Sequence, residues 1–216
     1  MQSRLTNYPP SRIIILADGE FPKHPIPLSL LKAAEYIVCC DGSTEKLLNS
    51  GLKPNAIVGD MDSLPENLQQ KYASIIHKDS EQEHNDLTKA ILFSLKQEPT
   101  SIAIIGATGI REDHTIGNIS LLSHYKTLTN IPIELYTDTG KFFPISKSAA
   151  IDAPLGSKVS IFSLDTSIHI VSEGLRYPLD NVVFDSWWKA TLNETTQNPF
   201  KLTFEQGRVI LYLVYN

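Results

Sequence analysis

The chain has 216 residues, with 24 acidic side chains against 19 basic ones and a net charge of -5. Hydrophobic residues make up 42% and charged residues 20%, a balance that excludes collagen-like, low-complexity and wholly disordered proteins and suits one larger domain plus a small one. The negative mean field gives no general attraction to nucleic acid or an anionic membrane, so a polyphosphate ligand needs local cations or a metal.

Met1 to Ser11 carries Tyr8, Pro9 and Pro10 but no continuous apolar run, and no later stretch approaches the ~20 apolar residues of a membrane span. A cytoplasmic protein is expected. From Arg12 to about Thr139 one pattern repeats: a short β-branched apolar run, a polar Gly/Asp turn, then a segment of helical period. The runs are Ile13–Leu16, Tyr36–Cys39, Ala56–Val58, Ser74–Ile76, Ile102–Ile105 and Ile133–Tyr136. Helices are expected over Leu28–Glu35, Ser43–Asn49 with Gly51 as its stop, Pro65–Tyr72, Asp86–Gln97 and Thr115–Tyr125. Ser63-Leu64-Pro65-Glu66 reads as a capping box with proline at the first helical position. Cys39 and Cys40 are adjacent on a strand, where neighbouring side chains face opposite ways, so buried free thiols are expected rather than a bridge.

After about Phe143 the helical period ends. Lys158–Leu164, Ile168–Val171, Asn181–Thr191, Phe200–Glu205 and Val209–Tyr215 read as strands between Gly, Pro, Asn and Asp turns. The fold class is therefore α/β: a mostly parallel N-terminal sheet with helices on both faces over residues 1–143, and a smaller C-terminal antiparallel β-sandwich over 144–216.

In an open parallel sheet the ligand crevice lies beyond the carboxyl ends of the strands. Here those ends read Ala17-Asp18-Gly19, Cys40-Asp41-Gly42, Gly59-Asp60-Met61-Asp62-Ser63, His77-Lys78-Asp79 and Gly106-Ala107-Thr108-Gly109, the last followed by Arg111-Glu112-Asp113-His114. Asp60 and Asp62 are two apart, so in an extended segment both carboxylates project to one side. Two anions about 5 Å apart repel by roughly 3 kcal/mol at an effective dielectric near 20, a cost that a divalent cation removes. Mg²⁺, a hard cation held by one or two carboxylates plus substrate phosphates, suits such a site. The dyad also recurs in unrelated phosphatases and glycosyltransferases, and a helix-capping role stays open. His77 and His84 lack metal-ligand spacing, and no P-loop is present, which argues against an ordinary P-loop kinase.

Taken in order, Asp41-Gly42 with Lys46-Leu47, Gly51-Leu52-Lys53-Pro54 with Gly59–Ser63, Gln82-Glu83-His84-Asn85-Asp86-Leu87-Thr88-Lys89-Ala90, Gly106–His114 with Gly117-Asn118, and Gly174–Leu179 resemble the thiamin pyrophosphokinase family. The resemblance implies an N-terminal Mg-ATP-binding α/β domain, a C-terminal thiamin-binding β-sandwich, and a homodimer with thiamin sites between subunits. It implies transfer of the terminal pyrophosphoryl group of ATP to the thiamin hydroxyl, releasing AMP. By motif match, Asp60, Asp62, Asp86 and Arg111 would be catalytic, and Asp41, Asp60, Asp62 and Asp113 would hold Mg²⁺. Asp41, Gly42, Gly106, Thr108, Arg111 and Asp113 would line the ATP region; Gln82, Asp86, Asn193 and Tyr212 would line the thiamin region. Asn85 stands where the family usually has threonine, Ile110 where it has glycine, and Leu192 where it often has serine. A tyrosine at 212 in place of a stacking tryptophan still favours a cation over its face, with Trp187 and Trp188 as alternatives. Competing readings are a nucleotide- or thiamin-binding sensor without turnover and a phosphatase using Asp60 as nucleophile.

Overall fold

The computed structural model describes residues 12–215; the segment containing Tyr8, Pro9 and Pro10 lies outside them. The chain divides into two compact units, one running to Asn118 and including Tyr136–Asp138, the other holding Ile119–Leu135 and everything from Thr139 onward.

In the first unit, strands β1 (Arg12–Leu16), β2 (Tyr36–Cys40), β3 (Ala56–Gly59), β4 (Ile76–Lys78) and β5 (Ser101–Ile105) form a sheet of order β5-β1-β2-β3-β4. Every pairing is parallel, with Ile14 of β1 opposite both Ile37 and Ala103. Ile13–Leu16 and Ile102–Ile105 are all 2% exposed or less, which explains why these runs are continuously apolar rather than alternating: both faces of the sheet are covered. Helices α1 (Pro25–Lys32), α2 (Ser43–Asn49), α3 (Glu66–Lys71) and α4 (Asp86–Leu95) fill the crossovers. Strands β1 to β4 step outward in one direction and the chain then returns to set β5 on the far side of β1. Right-handed crossovers place α1 to α3 on one face and α4 on the other, where α4 packs across β1, β2 and β3. That reversal between β1 and β5 is a topological switch point, the place where such sheets open a crevice.

Local chemistry sets the helix ends. Helix α2 stops at Gly51, whose φ of +83° suits glycine. Helix α1 starts at Pro25, ahead of the expected Leu28, because prolines in a first turn leave no useful N–H unpaired and His24 Nδ1 accepts the Ile26 N–H at 3.3 Å. The capping box expected at Ser63 does not form. Pro65 is itself the cap of α3, while the Ser63 hydroxyl donates to Asp62 Oδ1 at 2.9 Å and so turns away from the helix. The strand expected at Ser74–Ile76 is displaced: a 3-10 turn occupies Ala73–Ile75, and β4 follows it. Helix α5 (Glu112–Leu128) begins earlier and ends later than expected. Cys39 and Cys40 are buried and unbridged, as expected; burial pushes the Cys39 thiol up to about 12 and Cys40 well above its ordinary value.

The second unit holds all but the last residue of β6 (Ile133–Tyr136), with β7 (Gly140–Ile145), β8 (Ala149–Ile151), β9 (Lys158–Ser163), β10 (Val171–Glu173), β11 (Asn193–Glu194), β12 (Phe200–Thr203) and β13 (Val209–Val214). Strands β11-β9-β13-β7 pair antiparallel, and β10-β12-β8 form a second antiparallel sheet. The expected antiparallel sandwich is thus present, with Ile161, Ile170, Phe200, Leu202 and Leu211 in its core. Asn181–Thr191 is not a strand. Short-range bonds take its polar groups instead: Lys189 Nζ and the Ser186 hydroxyl bond Asp185, and Thr191 bonds the Trp188 carbonyl at 2.7 Å. Neither tryptophan enters the core. Trp187 lies edge-on to Phe162 at 5.9 Å, and Trp188 is 72% exposed.

Candidate active site

Two strand ends of the first unit deliver the acids. Asp41 follows β2, and Asp60 and Asp62 follow β3; one oxygen from each of the three lies within 4.8 Å of the others. Asp60 and Asp62 do not converge by strand alternation, because the segment has already left the sheet. Met61 takes a left-handed φ of +71°, and Asp60 Oδ1 accepts the Asp62 N–H at 3.1 Å, so a tight turn brings the carboxylates together. Met61 can hold that conformation because it is 4% exposed and packs with Ile57 and Leu64.

The acids differ in environment. Burial raises the Asp41 carboxyl above its usual range, against hydrogen bonds from the Gly42 and Ser63 N–H groups. Asp60 is lowered, first by the Asp62 N–H and further by the Asp62 and Gln82 side chains. Asp86, the first residue of α4, is raised by burial and by the charges of Asp60 and Asp62, while Lys89 pulls the other way. A Cβ at Gly59 would sit 3.1 Å from Asp41 Cβ and 3.3 Å from Asp86 Oδ1, so glycine there keeps the acids close.

Beside these acids a cleft of about 150 Å³ opens at the switch point, lined by Asp18, Gly19, Cys40, Asn85, Asp86, Thr108, Arg111, His114 and Asn118 among others. Backbone bonds tie the loops that follow β1 and β5: the Gly19 N–H donates to the Gly106 carbonyl at 2.6 Å and the Glu20 N–H to the Thr108 carbonyl at 2.8 Å. Gly106 has a φ of +69°, and a Cβ there would meet the Ala17 carbonyl at 2.8 Å. At Gly42 the neighbour is a side chain instead, since a Cβ would lie 2.6 Å from Asp18 Oδ2.

Asp113 is not brought into the acidic group. It pairs bidentately with Arg111, at 3.1 and 2.6 Å, and that guanidinium lowers its carboxyl to about 2. His114 donates its N–H to Asp113 at 2.9 Å. Gln82 is exposed, donates to the Ser80 carbonyl at 3.4 Å, and helps to hold the Asp60 carboxyl down. His77 stacks against Phe93 at 4.3 Å, and His84 pairs with Glu81 at 2.8 Å.

Asn193 and Tyr212 belong to the second unit. Asn193 is 2% exposed and its amide is engaged with backbone, accepting from the Tyr177 and Glu194 N–H groups and donating to the Tyr177 carbonyl at 2.7 Å. Tyr212 stacks on Phe142 at 4.2 Å with its hydroxyl on Thr139. Leu192 is 69% exposed with a φ of +55°.

Two lysines gain a place for which sequence reasoning offered no role. Lys46 Nζ bonds Asp18 Oδ1 at 2.7 Å and the Asp18 and Gly19 carbonyls at 3.0 and 2.9 Å, which stitches α2 to the end of β1. Lys89, 5% exposed, pairs with Asp86 at 3.6 Å and donates to the Asp79 carbonyl at 3.1 Å. An i,i+3 spacing of opposite charges was the available signal for that pair.

A donor set of three oxygen acids fits a hard divalent cation. With a guanidinium, a backbone-lined cleft and adjacent carboxylates, the arrangement suits displacement chemistry on a phosphorylated ligand, which depends mainly on positioning and charge neutralisation.

Comparisons with known proteins agree with that chemistry. Residues 28–135 match the family model described as thiamin pyrophosphokinase, catalytic domain, and residues 140–212 that of thiamin pyrophosphokinase, substrate-binding domain. The chain is 34% identical over 179 residues to a thiamine pyrophosphokinase of Bacillus subtilis (strain 168), covering 78% of this chain and 82% of that protein. It is 31% identical over 181 residues to thiamine pyrophosphokinase 1 of Oryza sativa subsp. japonica, covering 68% and 67%. The crystal structure of the Bacillus subtilis thiamine pyrophosphokinase superimposes with a TM-score of 0.78 at 26% identity, covering 95% of this chain and 99% of that one.

Proposed function

This chain belongs to the thiamin pyrophosphokinase family, and from that premise we propose that it transfers the pyrophosphoryl group of ATP to the hydroxyl of thiamin, giving thiamin diphosphate and AMP. The observation that carries the reading is the convergence of Asp41, Asp60 and Asp62 beside the switch-point cleft.

Asp41, Asp60 and Asp62 are assigned to a metal, with Mg²⁺ as the ion that best matches hard carboxylate donors and phosphate ligands. Such an ion supplies charge neutralisation to the triphosphate. Arg111 is assigned to phosphate, with Asp113 holding its guanidinium flat and aimed, and with Gly106, Thr108 and Gly42 forming the close backbone wall. Asp86 and Gln82 are assigned to the acceptor side. Asp86 carries a raised carboxyl next to anions, the setting of a group that accepts a hydroxyl proton. A cationic substrate is also favoured by this acidic surround.

We assign the nucleotide and metal chemistry to residues 1–143 and thiamin recognition to residues 144–216. Tyr212 offers a face to the thiazolium cation, and Asn193 shapes the region by fixing the Tyr177 backbone. We further propose a homodimer with thiamin bound between subunits, acting in the cytoplasm. Free buried thiols support a reducing compartment, and no helix among the described residues is long and apolar enough to cross a membrane.

Purified protein given thiamin, ATP and Mg²⁺ is expected to release AMP in equal amount to thiamin diphosphate. Release of ADP or free phosphate in place of AMP would reject the reaction, and tight thiamin binding with no nucleotide product would favour a sensor.

A further inference from the structure

Two asparagine amides that line the cleft are bonded in single file. Asn85, the cap of α4, accepts from the Thr88 N–H at 2.9 Å and the Thr88 hydroxyl at 2.8 Å through Oδ1, and donates through Nδ2 to Asn118 Oδ1 at 3.1 Å. Asn118 then donates through its own Nδ2 to the Ala107 carbonyl at 2.9 Å.

The backbone dictates the direction of this chain. A helix N-terminus presents only N–H groups, so Asn85 must turn its oxygen to Thr88 and its nitrogen outward. Asn118 must then show oxygen to Asn85, which leaves its nitrogen for a carbonyl, and Ala107 supplies one. Neither amide can flip without breaking two bonds. One end of the relay is the first turn of α4, which carries Asp86; the other is the loop that carries Thr108, with the Gly109 N–H held by Thr115 Oγ1 at 3.3 Å. Both asparagines line the cleft itself.

We propose that Asn85 and Asn118 are positioning residues: their amide relay sets the distance between the acceptor side of the cleft, at Asp86, and the phosphate side, at Thr108. The inference rests on the assignment of those two sides given above. A capping residue needs one acceptor, and any of Ser, Thr, Asp or Asn provides it; the amide nitrogen of Asn85 is surplus to capping and serves alignment. In-line displacement is sensitive to such alignment, since a misplacement near 1 Å costs about 10²-fold in rate.

Asn85→Thr separates the two jobs, because a threonine hydroxyl caps α4 but does not extend to Asn118. The variants Asn85→Thr, Asn118→Ala and the double replacement are measured for kcat, both KM values and hydrogen exchange at residues 107–109. Each single variant is expected to lose about tenfold or more in kcat with both KM values within about twofold of wild type, since substrates still bind but are misaligned. The double variant is expected to be no worse than the poorer single one, because one relay is broken in all three. Exchange at 107–109 is expected to rise in both single variants. Wild-type kcat in Asn85→Thr, losses that multiply in the double variant, a loss expressed wholly in KM, or unchanged exchange in Asn118→Ala would each overturn the relay. Wild-type protein that releases no AMP would instead sink the reaction, and the exchange measurement would still decide the relay.

Discussion

Lys89 sets its ammonium 3.6 Å from Asp86 Oδ1 while only 3% of its side chain is exposed. A buried lysine is tolerable only with partners, and this one has the carboxylate and the Asp79 carbonyl. Its position follows from α4 being buried on most sides in its first turns, where Leu87 to Ile91 are all enclosed. The pair therefore ties the charge balance of the acidic site to the packing of the helix beneath it.

Lys89→Met is expected to leave Asp86 facing Asp60 and Asp62 without an opposing charge. Breaking a fully buried pair costs about 3–5 kcal/mol, but the Asp86 side chain is 37% exposed, and solvent screening reduces the expected loss to about 1–2 kcal/mol. Urea unfolding gives that number. Because Lys89 holds the Asp86 carboxyl down, its removal is also expected to move the acid limb of the kcat profile to higher pH; an unmoved limb would separate Asp86 from proton transfer.

Asp41 predicts a stability effect of opposite sign to the usual carboxylate. Its carboxyl is raised in the folded state, chiefly by burial. Below the unfolded value, near 3.8, both states hold the proton and no penalty exists. As pH climbs through the higher folded value, the native state must ionise a buried group and stability is lost. Metal-free Asp41→Asn is thus expected to melt above wild type at pH 7, with the advantage gone below about pH 4. Added Mg²⁺ is expected to raise the melting temperature of wild type and not of the variant. A variant that melts lower than wild type at pH 7 without metal contradicts this account.

Gly59 and Gly51 make a matched pair of tests. Both have positive φ, +154° and +83°, but a Cβ at Gly59 meets Asp41 and Asp86 whereas one at Gly51 meets nothing within 4 Å. Alanine at Gly51 is expected to cost only backbone strain, about 1 kcal/mol, with turnover intact. Alanine at Gly59 is expected to lower kcat by at least about tenfold by prising the acids apart. Equal turnover in the two variants would show that the spacing at Gly59 does not matter.

The α/β unit was legible because a parallel sheet covered on both faces imposes short continuous apolar runs, here alternating with segments of helical period. Strand ends were legible with them, and so were Asp41, Asp60 and Asp62. What misled was local pattern read without its competitors. The spacing of Ser63 and Glu66 fits a capping box, yet the Ser63 hydroxyl goes to Asp62 and Pro65 takes the cap. Asn181–Thr191 is rich in strand-forming residues, yet Asp185, Ser186 and Lys189 satisfy one another locally and the segment turns. The relay through Asn85 and Asn118 was not readable, because its members are brought together only by the crossover that returns β5 to the side of β1.

Met61 supplies a case where two opposing terms can be weighed. Its φ of +71° strains a residue with a side chain, and Met61→Gly would relieve about 1 kcal/mol of that strain. The side chain, however, is 4% exposed against Ile57 and Leu64, and deleting a buried methionine costs about 2–5 kcal/mol. Packing outweighs strain, so the variant is expected to be less stable by about 1–4 kcal/mol in urea unfolding. The same replacement frees the turn that holds the Asp60 carboxylate on the Asp62 N–H. Mg²⁺ affinity, read by calorimetry, is accordingly expected to fall in proportion to the lost preorganisation rather than to vanish, since all three carboxylates remain. A more stable Met61→Gly protein would show that the left-handed turn, not the apolar anchor, dominates at this position.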